Sequence, residues 1–139
     1  MRAPRDTPEI TLVGAGLAGS LLAIYLARRG YRVTILERRL DPRKTAALPG
    51  AGRSINLALA NRGIAALEEV GVMESVRPAL IPMVGRMLHD EEGRLQLIPY
   101  GNKPHEVIYS VSRADLNALL INAAESTGRV SIRFGETVR

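Results

Sequence analysis

The sequence predicts an α/β fold that opens on a strand–helix–strand unit with a parallel sheet. Three observations carry this. Glu9 to Val13 is a short apolar run that ends in the glycine turn Gly14-Ala15-Gly16-Leu17-Ala18-Gly19. From Leu17 to Arg29 the residues suit a helix, and Gly30 stops it. Arg32 to Glu37 then alternates around Val33 and Ile35, as a second strand does. The span is about 30 residues, the size of a parallel strand pair joined by a crossover helix.

The remaining elements follow in order. Residues 1 to 8 read as a polar leader containing proline, and Arg38 to Arg53 as a basic loop rich in proline and glycine. Asn61 to Val70 is a helix ended by Gly71. Met83 to His89 and Leu95 to Ile98 are strands around the solvated turn Asp90-Glu91-Glu92-Gly93, and Val107 to Val111 is another short strand. Arg113 to Ser126 is an amphipathic helix with Leu116, Leu119, Leu120, Ala123 and Ala124 on one face, capped by Ser112 and stopped by Gly128. Arg129 to Phe134 is a strand, Gly135-Glu136 a turn, and Thr137-Val138 the start of one more strand. A doubly wound sheet has more strands than these, so the sequence reads as the first part of something longer.

Composition narrows the chemistry. The chain has 139 residues, 46% apolar and 24% charged, which suits one globular domain. It has no cysteine, so disulfides, cysteine-ligated metals and a thiol nucleophile are out. Its two histidines, His89 and His105, have no metal-ligand spacing, and His89 beside Asp90 reads as a surface pair. Met73, Met83 and Met87 read as core filler. No serine-hydrolase elbow, P-loop or zinc-protease motif occurs. The net charge is +5, but residues 1 to 62 carry +7 and residues 63 to 139 carry −2. Aromatics are only 4%, with no stacking motif, so the basic half suits a small polyanion such as a diphosphate better than nucleic acid. Ile10 to Ala27 is apolar, yet three glycines, Thr11 and Ser20 interrupt it and Arg28-Arg29 follow directly. It reads as part of the βαβ unit, neither a leader nor a membrane segment, which points to the cytoplasm.

The glycine turn fits G-x-G-x-x-G in its full context: a strand before it, a helix opening on it, and an acidic residue ending the next strand. Gly14 allows the tight turn, Gly16 lets backbone approach a diphosphate, and Gly19 lets helix and strand pack closely. The helix N-terminus offers free N–H groups and partial positive charge to phosphates. Glu37, eighteen residues past Gly19, is placed to accept hydrogen bonds from ribose hydroxyls. Its charge disfavours a 2′-phosphate, although Arg38 and Arg39 stand beside it. The motif alone does not separate FAD from NAD.

Further segments resemble the kynurenine 3-monooxygenase family of flavin hydroxylases. These are Gly52-Arg53-Ser54-Ile55-Asn56-Leu57-Ala58-Leu59-Ala60 with Arg62-Gly63, Gly85-Arg86-Met87-Leu88-His89, Pro99-Tyr100-Gly101, and Ser110-Val111-Ser112-Arg113-Ala114-Asp115-Leu116-Asn117. They keep the family's order from about Ile10 onward. The resemblance implies FAD at the glycine turn and NADPH as co-substrate. It also implies transfer of one oxygen atom of O₂ to the ring of L-kynurenine, giving 3-hydroxykynurenine. It implies an incomplete FAD-binding domain over residues 1–139, Rossmann-like, with a β-rich excursion over 81–111 that contributes an inserted hairpin to the substrate side.

The residue roles come from the same resemblance. Ala18 would sit in the diphosphate turn, Leu36, Glu37, Arg38 and Arg39 along the adenosine ribose, and Ala58 near the flavin through its backbone. Arg113 would bond the cofactor, and Val138 would meet the adenine side through main chain. Arg86 and Tyr100 would hold the substrate carboxylate, a task suited to a guanidinium fork and a phenol donor. No side chain is assigned as catalytic, because the flavin carries the oxygen chemistry. Family members are much longer, so this stretch alone is not expected to turn over. A flavin hydroxylase for another aromatic acid, or a non-catalytic dinucleotide-binding module, would share the glycine turn and Glu37.

Overall fold

The computed structural model describes residues 9–45, 55–103 and 106–138. The leader, the run Gly52-Arg53-Ser54 and His105 lie outside the described residues. Two compact units emerge, one from the chain up to residue 54 together with 114–139, the other from residues 55–113.

The first unit holds the parallel sheet. Strand β1 (Glu9–Val13) leads through helix α1 (Leu17–Arg28) to strand β2 (Arg32–Glu37). A four-residue helix α2 (Pro42–Thr45) follows β2. After helix α5 (Arg113–Ser126) comes strand β8 (Val130–Phe134). The order is β1-β2-β8, all parallel, with Leu12 opposite Ile35 and Ile35 opposite Ile132. As the middle strand, β2 buries Val33 and Ile35 almost completely. Small residues Ala23 and Ala27, one turn apart on α1, are buried with Ile24. That spacing lets the helix lie close to its neighbours.

The second unit is mostly antiparallel. It contains β3 (Asn56–Leu59), α3 (Asn61–Glu69), α4 (Met73–Val76), a 3₁₀ turn (Arg77–Ala79), β4 (Ile81–Met83), β5 (Gly85–His89), β6 (Leu95–Pro99) and β7 (Ile108–Ser112). One sheet has the order β3-β7-β4, and β5 and β6 pair as a separate ribbon. Leu59, Leu67, Val70, Met73, Val76 and Val111 are buried.

Several expectations change. The basic loop after β2 contains the helical turn α2 within its described part. Strand β3 was not expected. The strand expected over 83–89 is two strands parted at Val84, because Met83 pairs with Ile108 while Gly85 pairs with Pro99. The buried stripe of α5 is Leu116, Leu120, Ile121 and Ala124, whereas Leu119 and Ala123 are half-buried. Met73 is core, but Met87 is 48% exposed, because among the described residues β5 pairs with β6 and no other strand. Asp90 is bound by Arg94, whose N–H donates to Oδ1 at 2.7 Å and whose Nε donates to Oδ2 at 2.6 Å, not by His89. Ser112, by contrast, stands immediately before α5 as expected of its cap, and is also the last residue of β7. Thr137 and Val138 join no strand.

Candidate cofactor site

The first unit brings the glycine turn and the end of β2 together. Gly14 N–H donates to Leu36 O at 2.8 Å, extending the β1–β2 ladder by one bond. Gly14 has φ +99°, a region that side-chain-bearing residues avoid. The chain there turns out of the strand into Gly16, the N-cap of α1. A Cβ on Gly19 would collide with the carbonyl oxygen of Gly14, so this crossing is possible only with glycine. A Cβ on Gly16 would meet nothing within 4 Å. Glycine is therefore required at Gly19 by the fold, whereas the described residues leave open space at Gly16.

The N-terminus of α1 is left open for an anion. Gly16 makes no side-chain cap bond and the first turn holds no acidic residue. The first intrahelical bond is Ser20 N–H to Gly16 O at 2.9 Å. The amides of Leu17, Ala18 and Gly19 precede it and have no intrahelical acceptor, and the helix dipole favours negative charge there.

Glu37 is buried at 5% exposure at the end of β2. Its Oε2 accepts the Ala15 N–H at 2.8 Å, and its Oε1 accepts the Arg39 N–H at 2.9 Å and Arg39 Nε at 3.0 Å. Burial pushes this carboxyl up, but the bonds from the Arg39 side chain, Arg39 backbone and Ala15 backbone outweigh it and hold the pKa at about 2. The carboxylate is thus ionised at any physiological pH. Oε2 accepts the one bond from Ala15 and so keeps a further acceptor lone pair. The same carboxylate ties the glycine turn to β2, a role the sequence reading did not assign. Arg39 Nε is committed to Glu37, while its side chain as a whole is 63% exposed.

The chain after β8 closes on this segment. Glu136 N–H donates to Glu37 O at 3.0 Å and Gly135 N–H to Arg39 O at 3.1 Å. Val138 follows two residues on and is 53% exposed. Arg38 and Arg39 are exposed and Leu36 is half-buried. Asp41 and Arg43 were missed. The signal was present in Asp41-Pro42: Asp is a favoured N-cap and proline a favoured first helical residue. Asp41 Oδ1 accepts the Arg43 N–H at 3.0 Å, and Asp41 O accepts the Lys44 N–H at 3.0 Å.

The other expected site residues lie in the second unit. Ala58 faces Ser110 in register, and its strand β3 is at the sheet edge, where alternate main-chain groups are open. Arg113 N–H bonds Ile55 O at 3.0 Å, and its side chain is exposed. Arg86 pairs in register with Ile98, and Tyr100 N–H donates to Val84 O at 3.0 Å, continuing the ladder one position past the Gly85–Pro99 pair. Side chains alternate along a strand, so Arg86 and Tyr100 share one ribbon face as diagonal neighbours. Both are exposed, and among the described residues no carboxylate pairs with Arg86.

Parallel β–α–β geometry, an uncapped helix N-terminus behind a glycine turn and a buried carboxylate at the end of β2 define a dinucleotide-binding α/β protein. The chain belongs to the FAD-binding domain family, whose model matches residues 7–139. FAD is the cofactor of that family, and the open space at Gly16 and the free lone pair of Glu37 fit it. The kynurenine 3-monooxygenase of Myxococcus xanthus is 51% identical over 136 residues, 98% of this chain and 28% of that protein. The enzyme of the same name from Stenotrophomonas maltophilia is 52% identical over 120 residues, 86% of this chain and 26% of that protein. The chain thus spans little more than a quarter of the curated relatives it matches. Among solved structures, the flavin-dependent monooxygenase PieE, in complex with FAD and substrate, matches with a TM-score of 0.73 at 21% identity, over 93% of this chain and 24% of that one. The p-nitrophenol 4-monooxygenase PnpA of Pseudomonas putida matches with a TM-score of 0.71 at 18% identity, over 93% and 33%. These two share the fold. Among the described residues no helix is long and apolar enough to cross a membrane.

Proposed function

We propose that the intact protein is an FAD-dependent monooxygenase that hydroxylates L-kynurenine to 3-hydroxykynurenine with NADPH and O₂, in the cytoplasm. The observation that carries this reading is the placement of Arg86 and Tyr100 as diagonal neighbours on one ribbon face, in a sequence about half identical to proteins bearing that name. Bound FAD, reduced by NADPH, supplies the oxygen transfer. The chain's own residues bind and orient. The α1 N-terminus and Gly16 receive the diphosphate, and Glu37 takes the ribose. The open edge of β3 at Ala58 and the Arg113 fork hold further parts of the cofactor, and the main chain at Val138 meets the adenine side. Arg86 and Tyr100 grip the substrate's amino-acid carboxylate.

The FAD-loaded intact protein should oxidise NADPH faster when L-kynurenine is added, and 3-hydroxykynurenine should accumulate. Arg86→Ala should raise the KM for kynurenine by about tenfold to a hundredfold with little change in kcat, since a carboxylate anchor binds ground state and transition state alike. Steady-state kinetics check this, and an unchanged KM removes Arg86 from the substrate site. A panel of aromatic acids tests the substrate: faster turnover of another acid would reassign the specificity and leave the FAD site untouched.

A further inference from the structure

The segment Arg38–Leu40, between Glu37 and Asp41, has no burial of its own: Arg38, Arg39 and Leu40 are all exposed, Leu40 by 66%. Its position depends on how its ends are held. One end is clipped through the backbone by Gly135 and Glu136. The other is Asp41, buried at 8% exposure, and its anchor is Arg43. The Arg43 guanidinium forks Asp41, with Nε to Oδ1 at 2.9 Å and Nη2 to Oδ2 at 2.8 Å. Its third nitrogen reaches α5, with Nη1 to Asn122 Oδ1 at 2.8 Å and to Glu125 Oε2 at 2.5 Å. Its Cζ lies 5.8 Å from the centroid of the Phe134 ring at the end of β8. One side chain therefore ties the segment after β2 to both elements that follow it in the first unit.

We propose that Arg43 is a positioning residue for the adenosine end of the FAD site, fixing the Glu37–Asp41 segment against α5 and β8 so that the Glu37 carboxylate stands preset for the ribose. The inference rests on the FAD reading of this site and adds a residue that does not itself touch the cofactor. The physical case is the fork. Only a planar guanidinium binds one carboxylate through two nitrogens and a second acceptor set through the third. A lysine keeps the charge beside Asp41 but cannot span to α5. A loop with no buried side chain of its own then gains freedom, and ribose binding must oppose that entropy.

The test measures dissociation constants of FAD and of ADP, with thermal melting of the flavin-free protein alongside, for the intact wild type, Arg43→Lys and Glu125→Gln. Arg43→Lys should weaken FAD and ADP by the same factor, about tenfold, because the disturbed contact lies in the half the two ligands share. Glu125→Gln should weaken both by about threefold, since a neutral acceptor remains. It alters a half-exposed side chain, so it carries the test if Arg43→Lys fails to fold. Lower melting temperatures with unchanged ADP affinity in both variants would mean a purely structural role and overturn the inference. A loss of FAD affinity without any loss for ADP would also overturn it, because the effect would then lie at the flavin end. A wild type that bound neither ligand would overturn the FAD reading, and this inference with it.

Discussion

Gly19→Ala should abolish flavin retention and lower the stability of the flavin-free protein by about 3 kcal/mol. The added Cβ would meet the Gly14 carbonyl oxygen well inside van der Waals contact and lie 3.2 Å from the Gly14 carbonyl carbon. Both are backbone atoms, so no side chain can rotate away. Relief would require α1 to move off β1 or Gly14 to leave its φ of +99°. The first loses the packing of Ala23, Ile24 and Ala27. The second breaks the Gly14–Leu36 bond that starts the turn. Gly16→Ala separates fold from site. Its Cβ meets no protein atom, and its φ of −77° suits alanine. That variant should stay within about 1 kcal/mol of wild type, the scale of an N-cap change, while losing FAD affinity. Thermal melts of the flavin-free proteins and flavin content after purification check both variants. A Gly19→Ala protein as stable as wild type would contradict the close crossing.

The contrast shows what was legible and what was not. β1, α1 and β2 were readable nearly residue by residue, because strand alternation, helical composition and two stopping glycines act within a few residues of one another. Glu37 was readable for the same reason, as a local acidic end to a local strand. β3 was missed because Asn56–Leu59 is four residues long and runs straight into α3. Its strand character comes from pairing with residues 109–112, far along the chain. The break at Val84 is likewise tertiary, since the residues before and after it find different partners. On α5 two apolar stripes compete. Ile121, not Leu119, faces the core, and spacing alone does not rank them. Arg43 was invisible as an anchor because its partners Asn122 and Glu125 lie 79 and 82 residues away. The diagonal placement of Arg86 and Tyr100 needed the register of the ribbon, which pairs Arg86 with Ile98 and is not readable from the turn residues alone.

Glu37→Gln should cost about 3 kcal/mol of stability at neutral pH and weaken FAD by at least about tenfold. The carboxylate accepts three hydrogen bonds from protein donors, and an amide cannot replace them all, because its NH₂ would face an N–H. Acid provides an independent check. The folded-state pKa of about 2 lies below the ordinary value of 4.5, so this group's stabilisation is complete above about pH 4.5 and disappears as pH falls through about 2. The difference in stability between wild type and Glu37→Gln should therefore be largest at pH 7 and shrink to about half by pH 3. Other carboxylates titrate in the same range, but they do so in both proteins and cancel in the difference. Denaturant unfolding of the two proteins at pH 7 and pH 3 measures it. A difference that does not change with pH would mean that Glu37 is not held ionised by Ala15 and Arg39. The carboxylate would then be neither the latch of the glycine turn nor a preset acceptor for the ribose.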